Sequence, residues 1–365
     1  MDFPLTVDEI TPEWLTQVLR ESGAIREAQV ESIESEVLSG GAAGEVQRLN
    51  LAFDQSEENA PSSIVAKLAH ADPEKRKAID DLGLYESEVN FFNYFGQNTG
   101  IRVPRTFFNN YDSEFGDTLI LLEDLGHLRM VEHGSDCSFE DADVALRTVA
   151  GMHAKWWNDD RLFGLDWLVD YSDSDFSNLV AETYSPHIDS LIEVAGEYLP
   201  SGVESIVRDL APVFADVMAS TGVHPVTLNH GDYKPANLFF DDSSPGEKSI
   251  VAFDWQVVQR GRPASDVAQF LITSFDNDNR RRIESKLIEN YYDSLTGNGV
   301  TGYSKSELEF DIRIALLSRI PFRVMGLMFT SEKLLSTPAG TRSFASICDR
   351  LQVLVDWNCD EVIPK

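Results

Sequence analysis

Between residues 230 and 254 three oxygen-bearing side chains stand at a spacing that suits one kind of chemistry. His230-Gly231-Asp232-Tyr233-Lys234-Pro235-Ala236-Asn237 is followed by Asp254 in Val251-Ala252-Phe253-Asp254-Trp255-Gln256. Phosphoryl transfer asks little covalent work of a protein. It needs a carboxylate to accept or orient the proton of an attacking hydroxyl, and oxygen ligands to hold Mg²⁺ on the phosphates. Asp232 has the chemistry for the first task. Asn237, five residues on across a loop stiffened by Pro235, and Asp254, on the next strand, have it for the second. Asp and Asn also favour ordinary turns, but three at this spacing between apolar strands exceed what a turn requires. A hairpin is the economical way to bring positions 232, 237 and 254 together.

These segments resemble the catalytic and metal-binding motifs of the aminoglycoside phosphotransferase / choline kinase superfamily. The pattern H-x-D-x-x-x-x-N with a later Asp beside an aromatic residue is shared with protein kinases. Taken with LLEDL at 121–125, LRTVAGMHAKWW at 146–157 and RPASDVAQFL at 262–271, it is most similar to the ecdysteroid-kinase-like (CHK-like) branch and its bacterial relatives. The resemblance runs from about residue 30 to 330. It implies an α+β, protein-kinase-like two-lobed fold. Residues 1–123 would form a small nucleotide-binding lobe of antiparallel sheet plus helix. Residues 124–365 would form a larger, mainly helical lobe carrying catalysis and the acceptor site.

The same resemblance implies ATP and Mg²⁺ as cofactors and assigns roles position by position. Asp232 matches the catalytic base, and Asn237 and Asp254 match the two Mg²⁺ ligands. Lys67, in the strand IVAKLA, matches the lysine that contacts the α- and β-phosphates. Glu88 matches the helix glutamate that pairs with that lysine, with Glu86 a rival for the role. Glu123 to Leu125 match the hinge whose backbone meets adenine. Asp266 matches the acid that braces the catalytic loop, and His230 reads as a structural hydrogen-bonding residue. Lys234 stands where a lysine contacts the γ-phosphate in protein kinases, and it also offsets local acid charge. The turn SGGAAGE keeps only Gly41-x-x-Gly44 of a full glycine-rich loop, a place for backbone N–H groups to cover phosphates. Trp255-Gln256 stand where protein kinases have a glycine, as in the small-molecule branch.

Elements to position these residues are readable. Thr11-Pro12-Glu13 opens a helix over 11–22. Residues 30–38, 45–53 and 64–69 alternate as strands of an antiparallel meander. A helix is expected over 79–96, followed by strands in VPRTFFNNY and TLILLED. Beyond residue 138 helical periodicity dominates: 138–157, 264–275, 279–296, 305–329 and 340–358. The interruption at 226–254 reads as two short strands joined by the turn chemistry of DDSSPGEK.

Composition narrows the function. Sixty-one acidic against 30 basic residues leave a net charge of −31, which repels nucleic-acid phosphates and disfavours nucleic-acid binding. The acidity is either a solubility or salt-adapted surface or a means of steering a cationic substrate. Cys137, Cys348 and Cys359 form no CxxC pair, which fits a reducing cytoplasm. The N-terminus lacks the basic and apolar regions of a signal peptide, and no apolar run is long enough for a membrane span.

Asp266 follows Asp254 by only twelve residues, leaving no room for the activation segment with which a protein kinase docks a peptide. A small-molecule hydroxyl is therefore the expected acceptor. Trp156, Trp157 and Trp167, with Asp159, Asp160, Asp166 and Asp170, read either as core tryptophans beside a solvated loop or as a rim for a cationic alcohol. A non-catalytic nucleotide-binding regulator on the same fold is the alternative function, and a protein kinase the more distant one.

Overall fold

Helix α1 (Pro12–Glu21) begins as its capping chemistry dictates. Thr11 stays extended, its side-chain oxygen accepts the Trp14 N–H at 3.2 Å, and Pro12 takes the first turn, where no N–H is required. The computed structural model describes residues 3–40, 44–132, 135–244 and 247–365. After α1 come β1 (Val30–Gly40), β2 (Gly44–Phe53), β3 (Ser63–Ala69), α2 (Pro73–Asp80), α3 (Leu84–Tyr94), β4 (Thr106–Asp112) and β5 (Asp117–Glu123). The strands pair antiparallel in the order β1-β2-β3-β5-β4.

Alternation sets the faces of this sheet. Ile64, Ala66 and Leu68 of β3 and Leu119 and Leu121 of β5 bury with Leu15, Val18 and Leu19 of α1 in one core. The period of two then turns Lys67 to the opposite face. Gly44 opens β2 where a Cβ would stand 2.1 Å from the Leu68 carbonyl oxygen, so no larger residue fits this crossing. Gly41 lies outside the described residues. The helix expected over 79–96 is two helices, because Gly83 takes a left-handed conformation with φ 70° between them.

Residues Val251–Val257 belong to the same compact unit as Met1–Arg129. Val251 bridges Arg102 in parallel, the Ala252 N–H donates to the Arg102 carbonyl at 2.9 Å, and Trp255 stacks on Phe91 at 4.0 Å between ring centres.

The second unit comprises Met130–Ile250 and Val258–Lys365. Its short strands are β6 (Arg129–Met130), β7 (Val169–Asp170), β8 (Thr227–Asn229), β9 (Leu238–Ser244), β10 (Glu247–Ala252) and β11 (Gln259–Gly261), the first and fifth of which run across the unit boundary. β11 pairs parallel with β7 and antiparallel with β8. Among the described residues eleven α-helices follow: α4 (Phe139–Lys155), α5 (Ser174–Tyr184), α6 (Ile188–Ala195), α7 (Val203–Leu210), α8 (Phe214–Ser220), α9 (Ala264–Ser274), α10 (Asn277–Gly297), α11 (Lys305–Ser318), α12 (Ile320–Leu335), α13 (Pro338–Asp349) and α14 (Gln352–Asp356). α4 packs on α10 and α9 on α11. The helix expected over 305–329 breaks at Arg319, since Pro321 has no N–H and its ring collides with the carbonyl four residues back.

Of the residues weighed as a rim, Trp156 is core at 1% exposure, under the Arg161 guanidinium. Asp159 pairs with Arg161 and Asp170 with Arg260, so these acids are already neutralised locally. All three cysteines are buried and unbridged. Among the described residues no helix is long and apolar enough to cross a membrane.

Candidate active site

In the first unit, three charged groups from distant parts of the chain meet. Lys67 Nζ lies 2.6 Å from Glu88 Oε2 and 2.8 Å from Asp254 Oδ1. β3 presents the lysine, and α3 presents Glu88 on its buried face while Glu86 is exposed. The two glutamates are two residues apart, about 200° around a helix, so only one can face the lysine. Burial disfavours the Lys67 charge, but Asp254 and Glu88 outweigh it and hold the ammonium above its usual range. Burial pushes the Glu88 carboxyl up; Lys67 opposes this, and Asp254 adds to it. Asp254 itself sits at φ 66°, a left-handed conformation that costs a non-glycine residue about 1 kcal/mol. Its neighbours over-determine it: Ala252 is hydrogen-bonded and Trp255 is stacked and buried.

The hinge candidates lie in this unit too. Glu123 ends β5, with its carboxylate taking Arg102 Nη2 and the Arg105 N–H, both at 3.1 Å. Leu125 is buried, and its carbonyl accepts the Leu128 N–H at 2.9 Å.

In the second unit the loop after β8 carries Asp232, Lys234 and Asn237. The Asp232 carboxylate accepts from Lys234 Nζ at 2.6 Å, Asn237 Nδ2 at 3.1 Å and Gln269 Nε2 at 2.5 Å. Three donors fix its orientation, yet its side chain keeps 26% exposure, enough to meet an alcohol. Asn237 Nδ2 also donates to the Asp232 carbonyl at 3.0 Å. Both acceptors on Asp232 are oxygens, so the amide must turn its NH₂ to them and its oxygen away, available to a hard cation.

The loop is braced from below by Asp266 on α9, which is fully buried. Its carboxylate accepts the His230 N–H at 2.8 Å, the Gly231 N–H at 2.9 Å and His153 Nε2 at 3.2 Å. Burial opposes ionisation, but the hydrogen bond and charge of His153, with those of His230, prevail and hold this carboxyl below its usual range. An ionised carboxylate only accepts, so His153 donates its Nε2–H to Asp266, while Nδ1 shares a hydrogen bond with the Tyr291 hydroxyl 2.8 Å away. His230 Nδ1 accepts the Asp232 N–H at 3.3 Å, a structural role. Arg319 completes the scaffold, donating to the Gly231 carbonyl at 2.9 Å.

Gln269, Arg319 and the His153–Tyr291 pair were not singled out as site residues from sequence. Gln269 had one available signal, its position one helical turn beyond Asp266 on the same face of α9. Arg319 had none, because nothing local says that a helix break will aim it at residue 231.

Sheet, helices and loop together define an α+β, kinase-like phosphotransferase fold, and solved structures share it. A microcompartment-associated aminopropanol kinase matches with a TM-score of 0.52 at 14% identity, over 96% of this chain and 98% of its own. An amicoumacin kinase in complex with AMP-PNP and Ca²⁺ matches with a TM-score of 0.53 at 13% identity, over 93% of each chain. A GDP complex of a mutant aminoglycoside 2'-phosphotransferase-IIIa matches with a TM-score of 0.52 at 12% identity, over 95% of this chain and 97% of its own. No curated protein sequence matches. The chain belongs to the ecdysteroid kinase-like family, whose model matches residues 41–299.

Proposed function

We propose that this protein transfers the γ-phosphoryl group of ATP, with Mg²⁺, to a hydroxyl of a small molecule. The observation that carries the reading is the Asp232 carboxylate, oriented by three donors and still reachable. The acceptor oxygen attacks the γ-phosphorus in line, the bond to the β-bridging oxygen breaks, and ADP leaves. Asp232 orients the hydroxyl and takes its proton. Lys67, ion-paired with Glu88, would meet the α- and β-phosphates. Lys234 would move from Asp232 to the γ-phosphate. Asn237 and Asp254 offer the amide and carboxylate oxygens that suit Mg²⁺, which when bound would neutralise phosphate charge. Gly41 and Gly44 would cover the phosphates, and backbone groups at Glu123 and Leu125 would meet adenine. Residues 1–123 would serve the nucleotide and 124–365 the acceptor. A cytoplasmic setting, where ATP is abundant, suits this reading.

Asp232→Ala should lower turnover about 10³-fold while leaving Mg·ATP affinity nearly intact. Asp254→Ala should abolish turnover and weaken Mg·ATP binding about tenfold or more. Calorimetric titration with Mg·ATP and an ADP-release assay over a panel of alcohols measure both. Full turnover by either variant overturns the assignment. Nucleotide binding without turnover of any alcohol favours a non-catalytic regulator.

A further inference from the structure

Beside Asp232, within the second unit, lies a cavity of about 550 Å³, a size that suits a small metabolite. Its lining departs from the rest of this molecule. In a chain of net charge −31, four of the lining side chains are cationic (Lys234, Arg323, Arg342 and Arg350), against one carboxylate, Glu132. At 61 acidic to 30 basic residues, a random patch would carry more carboxylates than cations.

Two of these cations stand beside carboxylates and two, among the described residues, do not. Lys234 pairs with Asp232 at 2.6 Å. Arg350 donates to the Thr273 carbonyl and stands 3.7 Å from Asp136. Arg323 donates to Gln269 Oε1 at 3.2 Å, and among the described residues it has no carboxylate in ion-pair contact. Arg342, on α13, is exposed and makes no hydrogen bond or ion pair among the described residues. Burial draws the Arg323 guanidinium down to about 10; Asp232 opposes this, while Arg319 and Arg350 add like charge. A partly buried cation crowded by other cations is a site that an anion relieves.

The cluster is wired to the chemistry. Gln269 bridges Arg323 to Asp232, donating to Asp232 Oδ1 at 2.5 Å, and Lys234 both lines the cavity and pairs with Asp232. Ile272, Ile347 and Leu351 add apolar wall.

The geometry points to an anionic acceptor: an alcohol with a carboxylate or phosphate at the far end of a short hydrocarbon segment, its anion on Arg323, Arg342 and Arg350 and its hydroxyl at Asp232. This rests on the phosphotransferase reading and names its substrate class. The balanced reaction is alcohol plus ATP giving a phosphomonoester, ADP and one proton. It turns aside the alternative that the acidic composition steers a cationic substrate, because charge at the cavity has the opposite sign.

The test uses the full chain with Mg·ATP and matched alcohols. Anionic probes are 3-hydroxybutyrate, 4-hydroxybutyrate and glycerol 3-phosphate. Neutral partners are methyl 3-hydroxybutyrate and glycerol, and cationic ones are choline and kanamycin. The expected result is ADP release with the anionic probes, the hydroxybutyrates and glycerol 3-phosphate telling carboxylate from phosphate. Arg342→Ala should raise the acceptor KM about tenfold, the weight of one charge-assisted contact, and Arg342→Glu more, with the KM for ATP unchanged. Preference for neutral or cationic alcohols overturns the inference and leaves the phosphotransferase reading standing. A rise in the KM for ATP instead overturns it by assigning the cations to nucleotide phosphates. If no probe is phosphorylated, thermal shift with the same anions decides. Protection of wild type and not of Arg342→Glu upholds the anion site and counts against phosphotransfer; no protection overturns the site.

Discussion

Lys67 stands between two carboxylates, and Glu88 is the more deeply buried of them. Removing the ammonium therefore leaves an unbalanced pair of acids. Lys67→Met should destabilise the protein by about 3–5 kcal/mol at pH 7, the loss typical of breaking one side of a buried ion pair. The sign of its pH dependence follows from the pair. Without the lysine, burial and Asp254 both raise the Glu88 pKa in the folded state above its unfolded value of about 4.3. The folded variant then holds more protons than the unfolded chain, so lowering the pH from 7 towards 5 stabilises it. Urea unfolding across that range should show the gap to wild type closing. Glu88→Gln added to Lys67→Met should restore most of the stability and none of the ATP turnover, a split that separates folding from function.

At the scale of elements, α9 does two things at once. It holds Asp266 under the 230–231 backbone and sends Gln269, one turn later, to Asp232. Asp266→Asn keeps the shape but replaces one accepting oxygen with a donor facing backbone N–H groups. It should cost about 2–4 kcal/mol at pH 7. The folded-state pKa of Asp266 lies below that of the unfolded chain, so its contribution is complete above about pH 4 and drains away as pH falls through the folded value. Denaturation at pH 7 and at pH 3.5 should show the variant's deficit shrinking in acid. A deficit that does not change with pH would mean that Asp266 acts through shape alone. The break between α11 and α12 matters equally, because it is where Arg319 turns to the Gly231 carbonyl.

For the whole molecule, charge is the dominant fact. With a net of −31, self-repulsion works against the compact state, and salt screens it over about 10 Å at 0.1 M. Raising NaCl from 50 to 500 mM should lift the unfolding midpoint by about 2–4 °C, read by calorimetry. An unchanged midpoint would indicate that the acids are mostly paired, as Asp159 and Asp170 are. The same acidity makes the cationic cavity stand out, since arginines gathered there are unavailable to neutralise the surface.

Much of this is legible in the amino-acid sequence. The strands around Lys67 announce themselves by alternation, and Asp232, Lys234 and Asn237 fall within one short loop, where backbone geometry alone keeps them close. Local chemistry also set the start of α1 at Thr11-Pro12, whereas the tight crossing at Gly44 is a fact of the sheet. What needed the folded chain was every choice that depends on how one element is rotated or aimed against another. Glu88 rather than Glu86 meets Lys67 because of the rotation of α3; Asp254 reaches them because Trp255 stacks on Phe91. Arg323, Arg342 and Arg350 come from α12, α13 and the turn after α13, with no shared period to connect them. Periodicity reports which face of an element is apolar; only packing decides which polar residues converge, and so the gathering of these arginines at one cavity was decided in the tertiary structure.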